Sequence, residues 1–342
     1  MNAQTASEPL PPHATLIQMG TAFWVSFIVL AAARIQLADV IGDDSMTGAE
    51  LADKLGFNAS ACHRFMRSLA GLGLLTEVES GRFKLTELGE ALKKDAPGSA
   101  YASIMILTGD IGQGALTELV YSLETGKTGI EKSFGKPLFD YLAERPEETS
   151  LFSETMVGFH GAEPAAVAAA YDFSQFGSIV DIGGATGNML AHILEQHESP
   201  RGVLFDLPHV VTDAPELIDA HGLSERISIE SGSFFETVPV GHDAYILSHI
   251  IHDWDPDQCA TILGHCRKAI NPGGKLLIVE MVLPEGDVPH PGKILDMLML
   301  CGAGGQERTP SEYKALLEPV GFELRQVVPT NSAVSIVEAV PV

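Results

Sequence analysis

One crossover constrains this chain more than any other feature. Residues 178–182, Ser-Ile-Val-Asp-Ile, form an apolar strand candidate that runs straight into Gly183-Gly184-Ala185-Thr186-Gly187. A helical pattern over 188–196 follows, and a second apolar run, 202–205, ends on Asp206. Strand, glycine turn, helix and strand make a parallel βαβ unit, which binds nucleoside cofactors at the carboxyl edge of its sheet. Glycine lets the backbone approach a ligand, and an acid ending the second strand can accept from ribose hydroxyls.

The turn narrows the cofactor. A dinucleotide site reads Gly-x-Gly-x-x-Gly and leaves helix amides bare for a pyrophosphate. Here the turn reads Asp181-x-Gly183-Gly184-x-x-Gly187, and a carboxylate at that strand end would repel a diphosphate. S-adenosyl-L-methionine carries an ammonium and a sulfonium and no phosphate, so it suits an acidic turn. Taken alone, the turn leaves another nucleotide in a doubly wound enzyme open.

Beyond residue 171, seven strand candidates can be counted, at 178–182, 202–206, 226–230, 243–249, 275–281, 322–328 and 333–339. Helical segments separate the first six. Only a short turn, 329–332, splits the last two, so the final strand should return antiparallel. The fold class is therefore α/β, with a Rossmann-like sheet in the C-terminal part. Ahead of it, Thr47 and Glu50 form a capping box for a helix over 48–55. A helix over 60–72 and a hairpin around Ser80-Gly81 follow, a helix–turn–helix–wing order. Residues 101–170 read as mostly helical, with breaks near 112–114, 126–129 and Pro137. The expected domains are 1–105, a winged-helix dimerisation domain; 106–170, a helical linker to the acceptor pocket; and 171–342, the cofactor domain.

Charge and cysteines exclude several classes. The chain has 342 residues and a net charge of −24, which disfavours nucleic acid and anionic membranes as partners. The helix–wing module itself holds seven basic and seven acidic residues over 47–95, without the positive excess of a groove-reading face. The run 21–33 is too short to span a bilayer before Arg34 and reads as a buried helix at a subunit contact, hence a homodimer. No Cys-x-x-Cys pair and no basic leader occur, so reduced thiols in a cytoplasm are expected.

The candidate chemistry lies in Ser248-His249-Ile250-Ile251-His252-Asp253-Trp254, at the carboxyl end of the fourth strand. A histidine there is placed as a base, because its ordinary pKa lies near neutrality. Glu280 ends the fifth strand, and Glu307 lies in a loop before the next helix. Carboxylates around an imidazole would orient it and raise its basicity. No zinc-type spacing accompanies His249 and His252, so no metal is expected.

These stretches, with Phe205-Asp206-Leu207-Pro208-His209-Val210, Asn271-Pro272-Gly273-Gly274-Lys275 and Glu307-Arg308-Thr309, resemble the plant caffeate/flavonoid-type O-methyltransferases and their acetylserotonin-, phenazine- and polyketide-modifying bacterial relatives. The resemblance covers nearly the whole chain. It implies S-adenosyl-L-methionine as cofactor and a small aromatic hydroxyl as acceptor. It implies His252 as general base, with Glu280 and Glu307 flanking it. Asp181, Gly183, Gly184, Gly187, Asp206, Leu207, Gly232, Ser233, Phe234 and Ser248 would hold the cofactor, and Met156, Phe159, Asp253 and Met299 would line the acceptor pocket. Two positions depart from the family pattern. Ser233 lies in the segment after the third strand where many members carry an acid, and Ser248 stands where many plant members carry a lysine. The rival readings are a homologue that uses the cofactor for decarboxylation, hydroxylation or pericyclic chemistry, and a winged-helix DNA-binding regulator.

Overall fold

A computed structural model describes residues 10–342, the side chains of Val157, Phe159 and His160 excepted. The chain divides into two compact units. One holds the described residues up to Gln113 together with Arg145–Phe159, and the other holds Gly114–Glu144 and His160–Val342.

In the first unit, β1 (Ser45–Thr47), β2 (Leu75–Glu79) and β3 (Arg82–Leu85) form an antiparallel sheet in the order β1-β3-β2. Strand β1 has no sequence signature, since three residues are too few for a period of two to show. The helix Gly48–Leu55 starts as expected: the Thr47 hydroxyl accepts from Glu50 N, and Glu50 accepts from Thr47 N. The helix Ala59–Gly71 is capped by Asn58. Leu51, Met66, Leu69 and Phe83 of these elements are fully buried in one core.

The N-terminal apolar run departs from expectation. It is broken into Pro12–Thr21, Phe23–Arg34 and Leu37–Ile41, the last break made by Gln36 in the left-handed region at φ 49°. Together the first two helices make 23 residues that are apolar and long enough to cross a bilayer, so the length argument against a span does not hold. Nor are these two helices buried within the chain: Leu16, Met19, Phe23, Trp24 and Phe27 are exposed, and only Leu30, Ala32 and Ala33 of the two are covered. Gly112 and Gly114, expected to break the helical stretch, lie inside the helix Asp110–Thr117. Gly126, by contrast, ends a helix in the left-handed conformation.

The second unit is built on a seven-stranded sheet. Its strands are β4 (Ser178–Ile182), β5 (Arg201–Asp206), β6 (Ile227–Ser231), β7 (Ala244–Ser248), β8 (Lys275–Glu280), β9 (Phe322–Pro329) and β10 (Ser335–Pro341), in the order β6-β5-β4-β7-β8-β10-β9. Strands β4 to β8 pair in parallel, and β10 runs antiparallel to both β8 and β9. The alternation of each strand feeds two layers. Ile179, Leu204, Ile246 and Leu277 pack with the helix Asn188–Gln196 on one face. Val180, Phe205, Tyr245 and Ile278 pack with Pro256–Ala269 and Pro310–Leu317 on the other. From β4 the chain winds one way to β5 and β6, then returns to place β7 on β4's other side. This reversal opens a crevice at the carboxyl ends of β4 and β7, where open α/β sheets bind ligands.

Candidate functional site

The glycine turn leaves β4 at this crevice. Gly183 lies at φ 71°, and a Cβ there would stand 2.4 Å from Ile250 Cδ1 on the β7 side. Only glycine fits, in conformation and in space. A Cβ on Gly184 would meet the Asp181 carboxylate at 2.5 Å, and Gly187, at φ 85°, precedes the helix Asn188–Gln196. The turn is thus a backbone cradle pressed close to its own walls.

Asp206 ends β5 as expected. Its carboxylate accepts from Ala185 N at 2.9 Å and from Leu207 N at 2.6 Å, which ties the turn to the second strand. An ionised carboxylate has lone pairs beyond these two bonds for hydroxyl donors. Gly232 N donates to Asp206 O, bringing the Gly232-Ser233-Phe234 segment beside it. Phe234 packs edge-on against Trp254, 6.0 Å between centroids. Leu207 is exposed, and Ser248 sits half-buried at the end of β7.

Asp181 is placed differently from the expectation that it meets the cofactor. It is fully buried, its carboxylate lies beneath Gly184, and neither oxygen has a hydrogen-bond partner. Burial, and then the charge of Asp206, push its carboxyl up to about 7. Asp181 supports the turn from below rather than lining the crevice.

A loop after β7 carries the base candidate. His252 lies in the short helical turn Ile251–Asp253. Its Nδ1 is 2.9 Å from Glu307 Oε1, and its side chain is only 12% exposed. Nδ1–H donating to a carboxylate leaves Nε2 as the nitrogen that faces other groups. Asp253 Oδ1 lies 3.6 Å from Nε2. Glu280 does not bond the ring. Its Oε1 accepts from His252 N at 3.0 Å, and its other oxygen accepts from the Tyr313 hydroxyl. Burial by itself would lower the His252 pKa, but the Glu307 hydrogen bond and the charges of Glu280, Asp253 and Glu307 outweigh it and raise the imidazole to about 9. Burial in turn pushes the Glu280 carboxyl up.

Other participants carry no sequence signature. Asp296 accepts from Glu307 N at 2.8 Å and so fixes the residue that fixes the base. Tyr313 holds Glu280 from an apolar helix face. His249, at φ 54°, is one of three non-glycine residues in the left-handed region among the described residues. Its Nε2 pairs with Glu163 Oε2 at 2.7 Å, and its ring lies 5.2 Å from that of His252. Backbone strain of this kind gathers at functional sites. Of the expected acceptor-pocket residues, Met299 is half-buried on the helix Gly292–Cys301 of the second unit. Met156 is half-buried in the first unit, and the Phe159 side chain lies outside the described part.

The crevice residues fit a cationic nucleoside. Asp206 presents its carboxylate beside the turn, and no lysine or arginine occurs over 181–187, so a diphosphate would meet uncompensated negative charge.

Comparison with known proteins agrees. Residues 116–323 match the O-methyltransferase domain family, and residues 17–95 match the O-methyltransferase dimerisation domain family. The chain is 40% identical to the phenazine O-methyltransferase PhzM of Lysobacter antibioticus over 342 residues, the full length of both. It is similar to the crystal structure of LaPhzM with a TM-score of 0.88 at 40% identity, covering 97% of this chain and 100% of that one. It is also similar to NcsB1, an O-methyltransferase from neocarzinostatin biosynthesis solved with S-adenosylmethionine and 2-hydroxy-5-methyl naphthoic acid. There the TM-score is 0.79 at 31% identity, covering 93% and 96% of the two chains.

Proposed function

We propose, on the premise that this chain belongs to the O-methyltransferase family with that family's dimerisation domain ahead of its transferase domain, that His252 deprotonates an aromatic hydroxyl for methylation. The protein is an S-adenosylmethionine-dependent O-methyltransferase acting on aromatic acceptors, the class its relatives methylate. Neither a non-methylating reaction nor DNA binding is retained.

When bound, S-adenosylmethionine supplies a methyl group already activated on sulfonium. The chain's own work is binding, orientation and one proton. Gly183, Gly184 and Gly187 make room for the cofactor, and Asp206 takes its ribose hydroxyls. Leu207, Gly232, Ser233, Phe234 and Ser248 border it, with Asp181 bracing the turn. Glu307 holds Nδ1–H, so His252 presents Nε2 to the acceptor hydroxyl. In the ligand-free protein, carboxylates keep His252 an imidazolium up to about pH 9. A cationic cofactor beside the ring would oppose that charge and would let His252 give up its proton more readily. Nε2 then takes the acceptor's proton. Positioning can contribute roughly 7–11 kcal/mol, and general-base help about 10²–10⁴-fold. Asp253 and Met299, with Met156 and Phe159, are assigned to the acceptor.

The single observation that carries this reading is the 2.9 Å contact between His252 Nδ1 and Glu307, which sets the nitrogen left for chemistry. Incubation with methyl-labelled cofactor and a set of phenolic, naphthoic and phenazine acceptors, read by mass spectrometry, tests it. Label on an acceptor oxygen matched by S-adenosylhomocysteine is expected. S-adenosylhomocysteine formed with no label on any acceptor would overturn it.

Residues 1–105, with their helix–helix–wing order, form the dimerisation module on this reading, 106–170 the helical connection and 171–342 the transferase. A homodimer accounts for the exposed Phe23, Trp24 and Phe27, which a partner copy would cover. Four buried, unpaired cysteines support a reducing, cytoplasmic setting.

A further inference from the structure

Arg308 follows Glu307 in the chain, and the residue is only 3% exposed. Its hydrogen bonds go to three backbone carbonyls and, at 3.8 Å, to Cys259 Sγ; none goes to a carboxylate. Nη1 donates to Ile251 O at 3.0 Å and to Gln306 O at 3.1 Å, and Nη2 donates to Trp254 O at 3.4 Å. Ile251 and Trp254 bracket His252, and Gln306 adjoins Glu307. One planar cation therefore ties the backbone on both sides of the base to the backbone beside its carboxylate partner.

The next contacts tighten the same joint. Gln306 N donates to His252 O at 2.7 Å. A Cβ on Gly305 would stand 1.8 Å from that oxygen and 2.9 Å from Asp253 Cα, so the two loops approach as closely as backbone allows. Burying a guanidinium is costly, and carbonyl partners offset less of that cost than a carboxylate would. A side chain needed only to fill space would be apolar here. Only a rigid fork can serve Ile251, Gln306 and Trp254 together, because a lysine is a point charge on a flexible stem. The guanidinium also places a positive charge near the buried Glu280, which favours its ionised form.

We propose that Arg308, with Gly305 as its close-contact partner, is a positioning residue that holds the His252 imidazole and the Glu307 carboxylate in register for proton transfer. The inference rests on His252 being the base. It adds a device that acts through that base without touching the acceptor.

The test compares Arg308→Lys, Gly305→Ala and His252→Ala in the full-length protein. The readouts are cofactor affinity by calorimetry, kcat at saturating acceptor, and the downfield proton NMR signal of His252 Nδ1–H, assigned by its loss in His252→Ala. Arg308→Lys is expected to melt near wild type and bind cofactor within about 3-fold, yet lose about 10²-fold in kcat together with the downfield signal, because small misplacements of reacting groups cost that much. Wild-type kcat with the signal intact overturns the proposal. So does a loss of cofactor binding and melting temperature in step with kcat, which is ordinary structural damage. Should Arg308→Lys not fold, Gly305→Ala decides on the same criteria. If His252→Ala itself stays active, the base assignment fails. If His252→Ala is inactive while Arg308→Lys and Gly305→Ala are normal, only the positioning role fails.

Discussion

The two walls of the crevice are made of different materials. On the β4–β5 side the ligand surface is backbone: glycines at φ 71° and 85°, amides tied to Asp206, and almost no side chain beyond that acid. On the β7–β8 side it is charge: an imidazole among Glu307, Glu280 and Asp253, with Arg308 behind. A backbone wall recognises shape and is tuned by sterics. A charged wall sets proton affinity and is tuned by each neighbour. Damage to the first should appear in cofactor binding, and damage to the second in turnover and its pH dependence.

The largest effect that sharpens this contrast is expected from Glu307→Gln. The glutamine amide oxygen can still accept from Nδ1–H but carries no charge to stabilise the imidazolium, so kcat should fall by about 10²-fold with cofactor affinity nearly unchanged. It should also remove a negative charge that raises the His252 pKa, moving the acid limb of kcat/KM for the cofactor, which reports the unloaded protein, from near 9 to lower pH. A limb that stays in place would separate Glu307 from the base. On the other wall, Gly183→Ala should weaken cofactor binding by about tenfold or more, the cost of a strained φ plus a 2.4 Å clash, with kcat at saturation within a few-fold of wild type. Equal losses in both parameters would erase the distinction between the walls.

A smaller effect tests the support beneath the turn. Asp181 has its folded pKa raised to about 7 from 3.8, so the stability linked to its neutral form is full below about 3.8 and is lost as pH rises through 7. Asp181→Asn should therefore gain about 2–4 kcal/mol relative to wild type at pH 8 and almost nothing at pH 4, read by denaturant unfolding. Equal offsets at both pH values would show that Asp181 does not titrate as its burial implies.

How legible these walls were in the sequence follows from what each is made of. The glycine turn and Asp206 could be read because a strand period, a glycine run and a strand-end acid are local signals. His252 could be placed at the sheet edge because it follows the end of a parallel strand, and Glu307 was read as a loop acid ahead of a helix. Burial was not legible: Asp181 looked like a ligand contact but lies under Gly184, and Glu280 holds the His252 backbone instead of its ring. Asp296, Tyr313 and Arg308 act through tertiary contacts between residues 11 to 57 positions apart, which no local pattern encodes. The N-terminal run shows the same limit, since apolarity alone cannot say whether a helix is covered by its own chain, by a partner or by lipid.

The central claim is that His252 removes the acceptor proton while playing no part in holding the cofactor. His252→Ala, assayed for kcat and for cofactor dissociation constant on one preparation, tests it most directly. The account predicts a kcat lower by about 10²–10⁴-fold with cofactor affinity unchanged; a variant that turns over at near the wild-type rate, or that no longer binds the cofactor, would contradict it.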